Sequence, residues 1–133
     1  VTGDSIEAAV DVEYSSAAAP GATIELVSCA DTTTFRGLIG LVNLLNDTSA
    51  PPSIVSMSYG ECEAWNGAAS NASFNSAFQQ AVTEGVSVFV SSGDTAAAGC
   101  DRNVTSATHG IGITGWGETQ YNVSVGGTDF SDY

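Results

Sequence analysis

The sequence has no lysine, and its basic residues are only Arg36 and Arg102, set against 15 Asp and Glu, for a formal net charge of −13 over 133 residues. A field of that sign repels phosphate backbones and argues against nucleic acid as a partner. No run reaches the ~18 consecutive apolar residues of a membrane-spanning helix, so a membrane partner is not expected. Val1-Thr2-Gly3-Asp4 has neither the basic nor the apolar region of a secretory leader. Three cysteines are present, Cys29, Cys62 and Cys100. Their spacing fits no CxxC zinc or redox pattern, and the odd count leaves at least one thiol without a partner in these residues. The single histidine, His109, lies in a Gly/Thr loop with no legible Ser-His-Asp order around it, so it reads as a surface residue.

What is present is a folded acidic chain. With 43% hydrophobic residues the composition is too apolar for disorder and suffices for one modest core or part of a larger one. Near pH 4, roughly the intrinsic carboxyl value, the acids begin to protonate. With so few cations the net charge then approaches zero, which removes one cause of acid unfolding. An acidic medium suits such a chain.

The apolar runs alternate between helical and strand character. Asp4-Ser5-Ile6-Glu7 has capping-box form and leads into a helix through Tyr14, stopped by Pro20-Gly21. Residues 23–28 read as a short strand. Thr32 or Thr33 caps a second helix carrying Phe35, Leu38, Ile39, Val42 and Leu45 at helical spacing. Residues 53–58 form a buried strand ending at Tyr59-Gly60, and a polar loop runs from Glu61 to about Asn71. A third helix places Phe74, Phe78, Ala81 and Val82 on one face and stops at Gly85. Residues 86–91 are a further strand, ending in Ser92-Gly93-Asp94, and residues 121–125 are the last. No internal repeat, low-complexity tract or domain boundary interrupts residues 1–133. Strands alternating with helices predict an α/β fold with a mainly parallel sheet and helices on its faces. Ligands of such sheets bind outside the carboxyl ends of the strands. Here those ends are Ser58-Tyr59-Gly60 and Ser91-Ser92-Gly93-Asp94, whose small residues would let a peptide backbone approach closely.

Three acids stand out. Glu7 and Asp11 are spaced i, i+4 and share a helix face. If that face is shielded from water the pair shares one proton, a state suited to a general base near acidic pH. The plainer alternative is a capping-box glutamate beside a solvated aspartate; a third has the two acids ligating calcium, although few other oxygen donors lie nearby in sequence. Asp94, between Gly93 and Thr95, is a turn or cap residue unless it is protonated, when it can donate a hydrogen bond to an oxyanion. Cys62 and Cys100 each follow one of the two strand ends. A disulfide between them is sterically feasible, with Cys29 as the competing partner. Tyr59 and Trp65 line either a pocket or the core. Asn46-Asp47-Thr48, Asn71-Ala72-Ser73, Asn103-Val104-Thr105 and Asn122-Val123-Ser124 match the N-glycosylation pattern.

In order along the chain, Glu7-Ala8-Ala9-Val10-Asp11-Val12-Glu13, Ala19-Pro20-Gly21-Ala22, Ser53-Ile54-Val55-Ser56-Met57-Ser58-Tyr59-Gly60, Ser91-Ser92-Gly93-Asp94 and Ser124-Val125-Gly126-Gly127-Thr128 resemble the sedolisin family of serine-carboxyl peptidases. The resemblance covers nearly all of the sequence. It implies a subtilisin-like, three-layer α/β fold with helices on both faces of the sheet, of which these residues are the N-terminal portion. It also implies secretion and acid-acting peptide-bond hydrolysis, as an endopeptidase or tripeptidyl-peptidase. Glu7 would be the general base, Asp11 would orient it, and Asp94 would support the oxyanion. Ser58, Tyr59 and Gly60 would pair with the substrate backbone, and Ser91, Ser92 and Gly93 would wall the S1 pocket. The family's nucleophile lies in a Ser-Gly-Thr-Ser-type or Gly-Gly-Thr-Ser-type segment, and its calcium site is C-terminal. Neither occurs in these residues, where Asp129 follows Thr128. The serine and the calcium would then come from a C-terminal half, as continuation or second chain, and these residues alone would be inert, with no cofactor of their own. Tyr59 stands where the family often has Trp, and residues 96–117 match poorly. The alternative is a non-catalytic binding module that keeps the fold.

Overall fold

The computed structural model describes residues 5–29, 36–49 and 51–128. Its elements run α1 (Ser5–Ala18), α2 (Arg36–Leu45), β1 (Ile54–Met57), α3 (Glu63–Thr83), β2 (Ser87–Ser91) and β3 (Val123–Val125). The three strands form one parallel sheet in the order β1-β2-β3. The fold is therefore α/β, as strand–helix alternation requires when each parallel connection must cross over a sheet face.

Register decides what each face carries. Val55 pairs with Val88 and Met57 with Val90, while Ile54 pairs with Ser87, and Ser56 with Phe89, which in turn pairs with Val123. Because side chains alternate along a strand, Val55, Val88 and Val90 share one face, and all three are buried. They pack with Leu41 and Leu45 of α2, Phe74, Ala77, Phe78 and Ala81 of α3, Val86, and Trp116. The opposite face holds half-buried Phe89 with exposed Ile54, Val123 and Val125. Among the described residues the helices cover one face of the sheet rather than two: α2 lies on α3 and α3 on β2.

Helix α3 starts at Glu63, inside the stretch read as a polar loop, and bends at Gly67, whose φ of 79° only glycine adopts without strain. Beyond the bend, Ser70, Phe74, Ala77, Phe78 and Ala81 recur at helical spacing on the buried side. Val82, read as part of that face, is 50% exposed. It follows Ala81 by 100° of helix rotation, which carries it off the narrow apolar stripe. Gly85, with φ 82°, ends the helix as expected.

Residues 23–28 pair with no strand among the described residues. The segment runs past α2, where a Cβ on Gly40 would lie 3.2 Å from both Val27 Cγ1 and Cys29 Sγ. Strand-like composition states only that a segment suits a pleated, half-buried surface, and a strand still needs a ladder partner. Helix α1 buries none of its residues. The Asp4, Thr32, Thr33 and Phe35 assignments lie outside the described residues.

Candidate functional site

The carboxyl edge of the sheet is formed by the ends of β1 and β2, which stay side by side up to the Met57–Val90 pair. Just beyond β1, the Ser58 hydroxyl donates a 2.6 Å hydrogen bond to Asp11 Oδ1 on α1, 47 residues away in sequence. This bond brings one of the three acids to the end of β1. Asp11 and Ser58 are both half-buried. Glu7, one turn earlier on α1, is exposed and makes no hydrogen bond or ion pair with a described residue. The shielded acid pair that a shared proton requires is not formed by the described residues: water reaches Glu7.

Asp94 follows β2 at the same edge, but its side chain is 86% exposed, and Arg102 Nη2 lies 4.0 Å from its Oδ2. It faces solvent and a guanidinium, not an enclosed oxyanion site.

The space between the two strand ends is occupied. Residues 113–115 run antiparallel to residues 61–63, through Glu63 N–H to the Ile113 carbonyl at 2.9 Å and Gly115 N–H to the Glu61 carbonyl at 3.0 Å. Thr114 is thereby buried between the ends of β1 and β2. Its Oγ1 donates to the Ser92 carbonyl at 3.1 Å. A Cβ on Gly60 would collide with Thr114 Cγ2, and one on Gly93 would sit 2.9 Å from Thr114 Oγ1. The closeness that glycine allows at both strand ends serves Thr114 of the same chain. Gly93 also has φ 103°, a second reason for glycine there.

The remaining predicted site residues sit around this plug. Tyr59 is exposed and stacks on Trp116 at 5.9 Å, and Trp116 stacks on Phe74 at 4.5 Å. Trp116 Nε1 is buried without a hydrogen-bond partner among the described residues. Tyr59 and Gly60 lie past the ladder and make no turn or loop backbone hydrogen bond with a described residue. Ser91 ends β2 opposite Val125, and Ser92 N–H donates to the Val125 carbonyl at 2.8 Å.

Cys62 and Cys100 form a disulfide that joins the loop after β1 to the loop after β2, and Cys29 is free. Beside it lies a cavity of about 430 Å³ whose lining includes Glu63, Trp65, Cys100, His109, Ile111 and Ile113. None of the three predicted acids lines it.

His109 is at the surface, as its loop suggests, with its side chain 56% exposed, and its ring is engaged there by a neighbouring carboxylate. Its Nδ1 is 2.7 Å from Oδ1 of Asp101, a buried carboxylate that also accepts from the Thr108 N–H at 2.9 Å, the His109 N–H at 3.0 Å and the Thr108 hydroxyl at 3.1 Å. The His109 side chain, then the Thr108 amide, hold the Asp101 carboxyl well below the usual carboxylate range. An eight-residue separation inside an irregular loop follows no helix or strand period, so no sequence pattern marks the pair. Trp65 meets the imidazole edge-on at 6.0 Å.

Among the described residues no group of three or more His, Cys, Asp or Glu could hold a metal ion. Comparison of the chain with protein-family models and with curated proteins returns no match.

Proposed function

We propose that the chain is part of an acid-acting serine-type peptidase with a subtilisin-like fold, in which Asp11 orients Glu7 and Glu7 acts as general base. The observation that carries this reading is the 2.6 Å bond from Ser58 to Asp11. It ties the acid-bearing helix to the carboxyl edge of a parallel sheet, the edge at which such folds bind ligands. In the proposed reaction, Glu7 takes the proton of a serine hydroxyl as that oxygen attacks a peptide carbonyl. Asp11, held by Ser58 one helical turn from Glu7, would orient the glutamate through a contact made on assembly of the site, which is triad logic with carboxylates in the roles of His and Asp. Asp94 would support the developing oxyanion, which requires its side chain to turn from the solvent-facing position beside Arg102 toward the reacting carbonyl. Tyr59 and Gly60, whose backbone lies past the ladder, offer an edge to an extended peptide. The serine is carried by a segment outside these 133 residues.

A polypeptide joining these residues to a nucleophile-bearing continuation in the parent reading frame should hydrolyse protein at about pH 4. Glu7→Gln or Asp11→Asn in it should lower turnover about 10²–10⁴-fold, the usual contribution of a positioned base. Near wild-type rates in both variants would remove the acids from the mechanism.

A second reading, a binding module without chemistry, is favoured by Thr114 filling the space between the strand ends and by the exposure of Asp94. A parent reading frame without a nucleophile segment would leave that reading in place.

A further inference from the structure

The sequence offers four Asn-X-Ser/Thr sites, and the fold treats them unequally. At three of them the side-chain amide is engaged with the backbone. Asn46 Nδ2 donates to the Val42 carbonyl at 2.7 Å, Asn71 Nδ2 to the Glu63 carbonyl at 3.0 Å, and Asn122 Nδ2 to the Gly117 carbonyl at 2.8 Å. Asn71 and Asn122 are half-buried, and their Oδ1 atoms are engaged as well. Asn71 Oδ1 accepts from Asn66 next to the bend of α3, and Asn122 Oδ1 accepts from both the amide and the hydroxyl of Thr119. A glycan at either position would have to displace bonds that shape the start of α3 or the entry to β3.

Asn103 differs in each respect. It is exposed, its φ of 64° puts it in a left-handed turn, and its amide makes no hydrogen bond with a described residue. Val104 and Thr105, the rest of the site, are exposed too. The loop that carries it is anchored at both ends. On one side Cys100 is disulfide-bonded to Cys62, and on the other Asp101 accepts from Thr108 and His109. A large polar group on Asn103 Nδ2 therefore projects into water from a loop held at both ends, at a side-chain atom that makes no hydrogen bond with a described residue; the left-handed φ is one that asparagine tolerates better than most residues.

We infer that Asn103 is an N-glycan acceptor and that the fold excludes Asn71 and Asn122 from that role. The co-reactant is a lipid-linked oligosaccharide pyrophosphate. The bond between the sugar anomeric carbon and the pyrophosphate oxygen breaks, a bond forms from Asn103 Nδ2 to that carbon, and Nδ2 loses one proton as the lipid pyrophosphate leaves. Secretion of the native protein is itself only implied by the family resemblance. The test supplies the pathway, so its outcome is independent of any peptidase activity.

The chain is expressed behind a cleavable leader in a eukaryotic secretory host, and the secreted protein is treated with peptide N-glycosidase in heavy-oxygen water. Peptide mapping then finds which asparagines have become labelled aspartate. The expected result is label at Asn103 and none at Asn71 or Asn122, with loss of one glycan mass in Asn103→Gln and in Thr105→Ala. The second variant keeps the asparagine and guards against a folding defect of the first. Where secretion fails, translation into microsomes followed by the same mapping reads Asn103 directly. An unlabelled Asn103, or label at Asn71 or Asn122 in secreted protein, overturns the assignment.

Discussion

The imidazole of His109 and the buried carboxylate of Asp101 meet at 2.7 Å across eight residues of an irregular loop. The contact closes that loop on itself next to the Cys62–Cys100 disulfide. Two backbone amides aimed at the same carboxylate add to the effect, since a carboxylate that accepts several hydrogen bonds is favoured in its ionised form.

The pH dependence has a definite sign. Asp101 is depressed in the folded state, so its contribution is fully present above the ordinary carboxyl value of roughly 4. It is lost as pH falls through the folded value, which lies below the usual range. Asp101→Asn should therefore melt at a lower temperature than wild type, by a margin that holds from neutral pH to about pH 4 and narrows in stronger acid. Thermal melts across that range check this. A margin that does not change in strong acid would show that the carboxylate's charge plays no part.

The contact of Thr114 with Gly60 predicts a coupled pair. Gly60→Ala forces a methyl against Thr114 Cγ2 and should cost about 1–3 kcal/mol, the usual penalty of overpacking. Thr114→Ser removes Cγ2 and keeps the hydroxyl that reaches Ser92. The double variant should recover at least about 0.5 kcal/mol relative to the sum of the singles. Additive losses in denaturant unfolding would show that Thr114 does not fill this space.

The disulfide makes a chemical prediction. Without reductant, a thiol-alkylating reagent should modify Cys29 alone, and Cys62 and Cys100 should react only after reduction. Replacing both by serine opens a crosslink between residues 38 apart and should cost about 2–4 kcal/mol. Mass mapping of the alkylated peptides reads the pairing, and a mixture that includes Cys29 in a bridge would contradict it.

Ser58→Ala removes the donor that holds Asp11. A hydrogen bond to a carboxylate at a half-buried site predicts a loss of about 1–2 kcal/mol. The same variant in an active parent polypeptide should lower kcat more than it raises KM, because Ser58 acts through Asp11. An unchanged kcat would confine the bond to a structural role.

Phe74 predicts the largest loss. It is fully buried in the core and carries the ring of Trp116 at 4.5 Å. Phe74→Ala should cost about 3–5 kcal/mol. Because Tyr59 also stacks on Trp116, the variant should shift the near-ultraviolet circular dichroism of the aromatic residues. A small loss with an unchanged spectrum would argue against this stack.

The sequence alone determined what depends on local order along the chain. Apolar spacing at Leu38, Val42 and Leu45, and at Phe74, Phe78 and Ala81, was enough to draw α2 and the inner face of α3. Short β-branched runs were enough for β1 and β2, and Gly85 for the end of α3, because these are effects of neighbours three or four residues apart. Only the tertiary structure decided what long-range contact controls. It set residues 23–28 beside α2 instead of in the sheet, and it turned Gly60 and Gly93 toward Thr114. It also joined Asp101 to His109 and left Asp94 in solvent while Ser58 held Asp11. The physical reason is that a side chain's protonation, partner and exposure are set by whatever the folded chain brings against it. Residues 113–115, which pack between the two strand ends, come from a stretch with no periodic signal at all.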